Sequence, residues 1–154
     1  MMPEHSIFPP PDFPLDVLEV IEVAITQAER EGATYYRALL DGRALISDET
    51  TIAGLMDALD APMSCVKVAA AFLLGVIGKG RAEGELLILC DDADYCVRAV
   101  AVWALGGCHS HCVITRLREI ACGDENSTVK VYAAHSLASA QARRALQSTR
   151  IHPP

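Results

Sequence analysis

The sequence predicts an all-α protein, a right-handed α-solenoid in which helical hairpins stack in a row. One short segment recurs three times, at offsets of 31 and 32 residues: residues 66–70, 97–101 and 129–133 read VKVAA, VRAVA and VKVYA. Each copy continues into an apolar run with helical spacing, and no segment alternates polar and apolar residues as a strand does. A helical repeat of this length is typical of units that bury their apolar faces only against their neighbours.

The first two segments of the chain differ from the rest. Residues 1–14 contain five prolines, which predict an extended lead because each proline removes a backbone donor and restricts the residue before it. Apolar residues at helical spacing predict one helix over 15–31 and a shorter one over 34–45. Residues 15–48 therefore form an N-terminal helical cap or a divergent repeat.

The regular units occupy residues 49–140, and each consists of two helices separated by a turn. Breaks at residues 60–62, 78–80 and 106–107 divide the apolar runs. The predicted helices run from Ser47 or Asp48 to Leu59, Ser64 to Ile77, Glu83 to Cys90, Asp94 to Leu105, His111 to Ala121, and Asn126 to Ala140. Residues 141–154 are expected to add a terminal cap helix, which covers the open end of the stack, and a tail.

Three features recur in these units: an aspartate in the turn, a Val-Lys or Val-Arg pair, and an alanine-rich helix ending in Leu-Gly. They are Asp60, Asp91 and Asp124; Val66-Lys67, Val97-Arg98 and Val129-Lys130; and Leu74-Gly75 and Leu105-Gly106. With these features, residues 50–140 resemble HEAT repeats, in particular the short bacterial type associated with phycobilin lyase subunits. The third unit departs from the pattern by ending in Leu137-Ala138. The resemblance implies that the second helices line a concave surface.

The second helices carry the candidate binding residues. At about 100° per residue, Val97, Ala101, Ala104 and Leu105 share one side, which is expected to face the core. Ala99, Val102 and Trp103 then point outward. The repeat offsets extend these positions into three ladders: Val68, Ala99 and Val131; Ala71, Val102 and Ala134; Phe72, Trp103 and His135.

The predicted partner-binding set combines these ladders with a basic flank, because exposed apolar grooves usually mark partner sites. It consists of Trp103, Phe72, His135, Val102, Ala99, Lys67, Arg98 and Lys130. The alternative is that Phe72 and Trp103 pack against the N-terminal segment or inside a helix pair.

Charge and hydropathy narrow the class of partner. The net charge is −7, with −9 in residues 1–62 and +2 in residues 63–154. The acidic part repels phosphate backbones, so no nucleic acid is expected and a basic protein fits better. No apolar run approaches the ~20 residues that span a bilayer, so no membrane is expected either. The start of the sequence lacks the features of a secretory signal, which makes the cytoplasm the expected compartment.

No catalytic motif of a known type occurs in the chain, so neither an enzymatic activity nor a cofactor is expected. The six cysteines are interpreted as reduced thiols. Cys108, His109, His111 and Cys112 supply the donor types that zinc prefers, but adjacent residues seldom all point at one ion. No metal site is therefore predicted.

These observations favour a non-enzymatic protein that holds a partner on a concave helical surface. A bacterial adaptor, assembly factor or inhibitor fits, and so does an immunity protein that neutralises a toxin. The alternative follows from the resemblance: a lyase-like or chaperone subunit that binds a tetrapyrrole or another small ligand in the groove. His135 and the aromatic residues would then hold the ligand.

Overall fold

The computed structural model describes residues 49–78 and 80–151, together with Glu22, Ile25–Gln27, Glu29, Arg30 and Arg37. Over these residues the protein is all-α, as predicted, and none of them lies in a strand. Residues 49–151 form α1 (Glu49–Ala58), α2 (Ser64–Ile77), α3 (Glu83–Leu89), α4 (Tyr95–Leu105), α5 (His111–Gly123) and α6 (Ser127–Ile151).

Polar caps explain where several helices begin. The Asp94 carboxylate accepts a hydrogen bond from the backbone N–H of Cys96 at 2.8 Å and starts α4. Ser110 caps α5 through the N–H of Val113, and Asn126 caps α6 through the N–H of Thr128. Such side chains satisfy backbone donors that have no partner inside the helix. The starts predicted from the sequence lie within one residue of these.

The helices pack as three hairpins. Within the hairpins α1 contacts α2, α3 contacts α4, and α5 contacts α6. The second helices also contact one another in the order α2, α4, α6, and α3 contacts α5. The core lies between these helices. It is filled mainly by small aliphatic side chains, in keeping with a chain whose aromatic content is 5%.

Helix α6 is longer than predicted. It extends over 25 residues, and residues 141–150, which were expected to form a separate cap helix, continue it. All ten are exposed, so the rest of the described structure does not cover them. The physical reason for the continuous helix is local: no glycine or proline interrupts the chain between Ser127 and Ile151, and alanine, arginine and glutamine are good helix formers.

The predicted lead, residues 1–14, lies outside the described residues, and so does most of 15–48. The described positions of that segment are helical. Ile25 is completely buried. Arg37 forms ion pairs with Glu22 at 2.7 Å and with Glu29 at 2.9 Å, so charged contacts join the two stretches that contain these residues.

Candidate protein-binding surface

The outward ladders do not face solvent on α2 and α4. Phe72 and Val102 are completely buried and Ala99 nearly so, so the prediction that these side chains point outward is wrong. Trp103 is half-buried, and its ring stacks on Phe72 with 5.2 Å between centroids and an interplanar angle of 21°. The predicted core side of α4, with Val97 and Ala101, is buried as expected.

Close contacts at two glycines show what covers one of these faces. A Cβ added to Gly75 would lie 2.6 Å from Cζ3 of Trp103 and 2.9 Å from Cβ of Ala104, both on the next second helix. A Cβ on Gly106, one repeat later, would lie 3.1 Å from Oγ of Ser136 on α6. The face that carries the glycine therefore packs closely on the following second helix in both cases.

The same face is open on α6, the last second helix. Val68 is 2% exposed and Ala99 is 3% exposed, but their repeat equivalent Val131 is 64% exposed. Ala134, His135 and Ala138 on the same side of α6 are exposed too. We call these four residues the terminal face. It presents positions that the earlier units bury or half-bury.

A basic residue joins each hairpin to the next. Lys67 of α2 donates to Oδ2 of Asp92 at 2.8 Å, and Arg98 of α4 donates to both carboxylate oxygens of Asp124, at 3.1 and 3.2 Å. The third residue of this series is Lys130 on α6. It forms no ion pair among the described residues, although its charge helps to lower the pKa of Asp124. Lys67 and Arg98 of the predicted basic flank thus connect neighbouring hairpins, whereas Lys130 lies on α6, the last second helix.

The carboxylates of Asp92 and Asp124 each accept hydrogen bonds from a basic side chain and from a backbone N–H. Burial opposes ionisation of Asp92, yet the hydrogen bonds from Lys67 and from the N–H of Asp94 outweigh it, and the pKa of Asp92 is lowered. Arg98 and the N–H of Asn126 lower the pKa of Asp124 against burial in the same way. The repeat equivalent of Asp124 is therefore Asp92.

The alignment from the sequence, which placed Asp91 in that position, is off by one residue. Asp91 is exposed and forms its ion pair with Arg116 of α5.

The charge of α6 itself is positive. Helix α6 carries four basic residues, Lys130, Arg143, Arg144 and Arg150, and no acidic one. This is opposite in sign to residues 1–62, on which the expectation of a basic partner rested. An acidic surface would be attracted to this end of the molecule.

A cavity of about 290 Å³ lies where α2 and α4 end against α6. It brings Trp103 and His135 of the third ladder together with three residues that the sequence did not single out, Ser136, Ser139 and Arg143. We call it the Trp103 pocket. Ser136 is 2% exposed, and its hydroxyl has no hydrogen-bond partner among the described residues.

A larger cavity, of about 540 Å³, lies between the turns that precede α4 and α6. Its lining is rich in carboxylates, but most of its charged groups already have partners. Arg98 binds Asp124, and Arg116 donates to Asp91 and Glu119. The charged residues that line this cavity are therefore mainly engaged in ion pairs, and two of these pairs connect adjacent units.

The four residues of the Cys-His cluster do not share one environment. Cys108 is buried, and desolvation raises the pKa of its thiol to about 11, whereas His109, His111 and Cys112 are exposed. Within the described residues, no three His, Cys, Asp or Glu side chains lie close enough together to hold a metal ion.

No family model matches the sequence, and no curated protein matches it either. Among the helices in the described part of the chain, none combines the length and the apolar character that a membrane crossing requires.

Proposed function

We propose that this chain is a non-enzymatic protein-binding module that docks a helical partner on the terminal face of α6. In this proposal the three hairpins form a right-handed α-solenoid of HEAT-like units, and the partner continues the stack. One observation supports it most directly: Val68 and Ala99 are almost completely buried, whereas their equivalent Val131 is 64% exposed.

The contacts between the existing units indicate what such a partner offers. Each junction pairs a face of small residues with a carboxylate for the Lys or Arg beside it. By this rule the partner presents a helix with small apolar side chains, and a carboxylate near the start of that helix pairs with Lys130. The absence of acidic residues from α6 favours the same acidic partner.

Ala138 sets a further limit on the partner. It stands where Gly75 and Gly106 allow the next second helix to come close. Because Ala138 carries a Cβ, a docked helix must have a small residue opposite it or pack slightly farther away. This accounts for the departure of the third unit from the Leu-Gly pattern, since no helix within the described residues follows α6 in the stack.

An adaptor, an assembly factor or an inhibitor would each work by such docking, and a cytoplasmic immunity protein would occlude a toxin in the same way. The expectation of a basic partner rests on the negative charge of residues 1–62. Of these residues, only 49–62 and a few isolated positions are described. At the terminal face the proposal replaces the basic partner with an acidic one.

The test compares two equally exposed apolar residues of α6. Val131→Glu alters the terminal face, whereas Leu146→Glu, also at a residue that is 64% exposed, alters the projecting end of the same helix. Partners captured from the source cell by the wild-type protein are identified, purified and measured by calorimetry. Val131→Glu should weaken binding by at least about tenfold, and Leu146→Glu should leave it nearly unchanged.

A charge series then tests the partner's chemistry. Lys130→Glu should weaken binding and Lys130→Arg should retain it, with both variants folding like the wild type by circular dichroism. Equal binding by Val131→Glu and wild type would reject the terminal face as the docking surface. Sedimentation that shows only self-association, lost in Val131→Glu, would replace a foreign partner with a second copy of the chain.

A further inference from the structure

The Trp103 pocket has the chemistry of a small-molecule site. Its lining includes Arg143 and His135 but no aspartate or glutamate, and Arg143 forms no ion pair within the described residues. A guanidinium that is not neutralised by a protein carboxylate is a strong donor for an anionic group, which it can bind through two parallel hydrogen bonds.

A buried hydroxyl provides an independent sign of a missing ligand. Ser136 lines the pocket with 2% exposure, and its hydroxyl has no partner in the described part of the chain. Buried polar groups in native proteins are nearly always hydrogen-bonded, so such a group calls for an explanation. A ligand oxygen that accepts from this hydroxyl would provide one. Ser139, on the same side of α6, lines the pocket beside it.

The wall contributed by α4 includes Trp103. Trp103 is held from behind by its stacking contact with Phe72, at 5.2 Å between ring centroids. Trp103 lines the cavity beside Gly75, Gly106 and Gly107, which add no side chains of their own. An aromatic side chain in the lining favours an aromatic ring in the ligand.

The charge and size of the site limit the ligand. The pocket lies against the C-terminal ends of α2 and α4, where the helix dipoles favour positive rather than negative charge. One guanidinium can offset this for a singly charged group more readily than for a phosphate dianion. A volume of about 290 Å³ is at the low end of small-molecule pockets, enough for a ring with one substituent and too small for the four linked rings of a tetrapyrrole.

From these observations we propose that the Trp103 pocket binds a small aromatic carboxylate. Its ring packs against the indole of Trp103, and its carboxylate accepts hydrogen bonds from Arg143 and from the hydroxyl of Ser136. This site is distinct from the docking of a protein partner: it shares only His135 with the terminal face, and Val131 lies outside its lining.

The experiment uses the full chain and three probes: benzoate, its neutral isostere benzamide, and inorganic phosphate. Trp103 is the only tryptophan, so its fluorescence reports binding directly, and calorimetry checks the affinity. Benzoate should give a saturable signal, with benzamide and phosphate each at least about tenfold weaker. Benzamide or phosphate binding as tightly as benzoate, or no saturation by benzoate at millimolar concentration, would overturn the proposal.

Three variants locate the site. Arg143→Gln should weaken benzoate binding by about tenfold or more and Ser136→Ala by a few-fold, whereas the neighbouring change Arg144→Gln, outside this pocket, should have no effect. Thermal melts check that each variant folds. If Ser136→Ala does not fold, the exposed Arg143 still gives a decisive result, since unchanged affinity of Arg143→Gln would refute the site. Loss of benzoate binding in Arg144→Gln would equally place the anion elsewhere.

Discussion

Asp124 connects two neighbouring hairpins through a single carboxylate. It accepts hydrogen bonds from the backbone N–H of Asn126 at 2.8 Å and from the Arg98 guanidinium, which also donates to the carbonyl of Asp92. The ion pair is mostly buried, with side-chain exposures of 16% for Arg98 and 9% for Asp124. Removal of one partner from such a pair costs more than removal from an exposed pair, because it leaves a desolvated charge behind.

Asp124→Asn should therefore lower the free energy of unfolding by about 2 kcal/mol at neutral pH. The native pKa of Asp124 is below its ordinary value, so its contribution is present above the unfolded pKa of about 3.9 and is lost as the pH falls through the lowered native value. Urea denaturation at a series of pH values should show the two stabilities converging below about pH 4. Asp57→Asn on the exposed side of α1 is the control, with little effect at any pH. A difference that stays constant in acid would contradict the ionic role.

The cysteines divide by burial. Desolvation raises the pKa of the Cys90 thiol to about 12 and that of Cys108 to about 11, and the Cys90 thiol donates to the carbonyl of Leu86. Cys112 and Cys122 are exposed. Cys108 lies in the connection between α4 and α5, yet its side chain is buried.

Alkylation of the folded protein should follow this division. With iodoacetamide at pH 8, Cys112 and Cys122 should be modified quickly, and Cys90 and Cys108 should remain protected until the protein unfolds, because the thiolate is the reacting form. Peptide mass spectrometry at increasing times measures the rates, and a sample in denaturant shows that all sites can react. Labelling of Cys108 as fast as Cys112 in the folded protein would contradict the buried position.

At the scale of elements, the second helices determine how closely the hairpins approach each other. Gly75 of α2 lies against Trp103 and Ala104 of α4, and the neighbouring atoms include the backbone of Ala104. Gly54 of α1, by contrast, has open space around it, and a Cβ added there would meet no atom within 4 Å. Both glycines lie within helices, so they form a matched pair for separating helix propensity from helix packing.

Gly54→Ala should raise the free energy of unfolding by up to about 1 kcal/mol, the gain in helix propensity. Gly75→Ala should lower it by about 2 kcal/mol, because a Cβ 2.6 Å from Trp103 forces α2 and α4 apart and outweighs the same gain. Urea denaturation followed by circular dichroism measures both, and the tryptophan signal reports the shift at Trp103. A stabilised Gly75→Ala protein would show that α2 and α4 are not closely packed there.

Local patterns in the sequence predicted the elements well. The sequence placed α2 at Ser64 to Ile77, where it is observed, because turn residues and glycines mark the helix ends. The helical periodicity of the sequence identified the side of α4 with Val97 and Ala101 as buried. It did not show that the side with Ala99 and Val102 is buried as well. A helix in the middle of a stack is covered from several directions, and the run from Val68 to Leu74, which contains no polar residue, was the signal that α2 is buried all round.

The candidate site was harder to predict because it depends on the order of the units. Equivalent residues look alike in sequence, yet Val68 and Val131 differ from buried to largely exposed because no further helix packs on α6 in the described structure. The lack of acidic residues from Ser127 to Ile151 was a visible sign of a distinct end. The Trp103 pocket could not be predicted, since it depends on where α6 lies relative to the ends of α2 and α4.

At the scale of the whole molecule, α6 both packs on the last hairpin and projects beyond it. Its buried side, from Val129 to Ala140, contacts α4 and α5. The following residues, 141–150, extend about 15 Å further at about 1.5 Å per residue. The described hydrogen bond from this segment to the rest of the chain runs from Arg144 to the carbonyl of His109, at a long 3.5 Å.

A chain that ends at Ala140 should therefore keep nearly all its stability. Every residue from 141 to 150 is exposed, so their removal should change the free energy of unfolding by less than about 1 kcal/mol. A cap that covered the open end would behave differently: its loss would cost several kcal/mol and expose an apolar surface, which urea denaturation and sedimentation would detect as lower stability and aggregation. The terminal face is exposed with or without this segment, so the shortened chain should remain as soluble as the full one. It should lose benzoate binding together with Arg143, and retain any partner that docks through Val131.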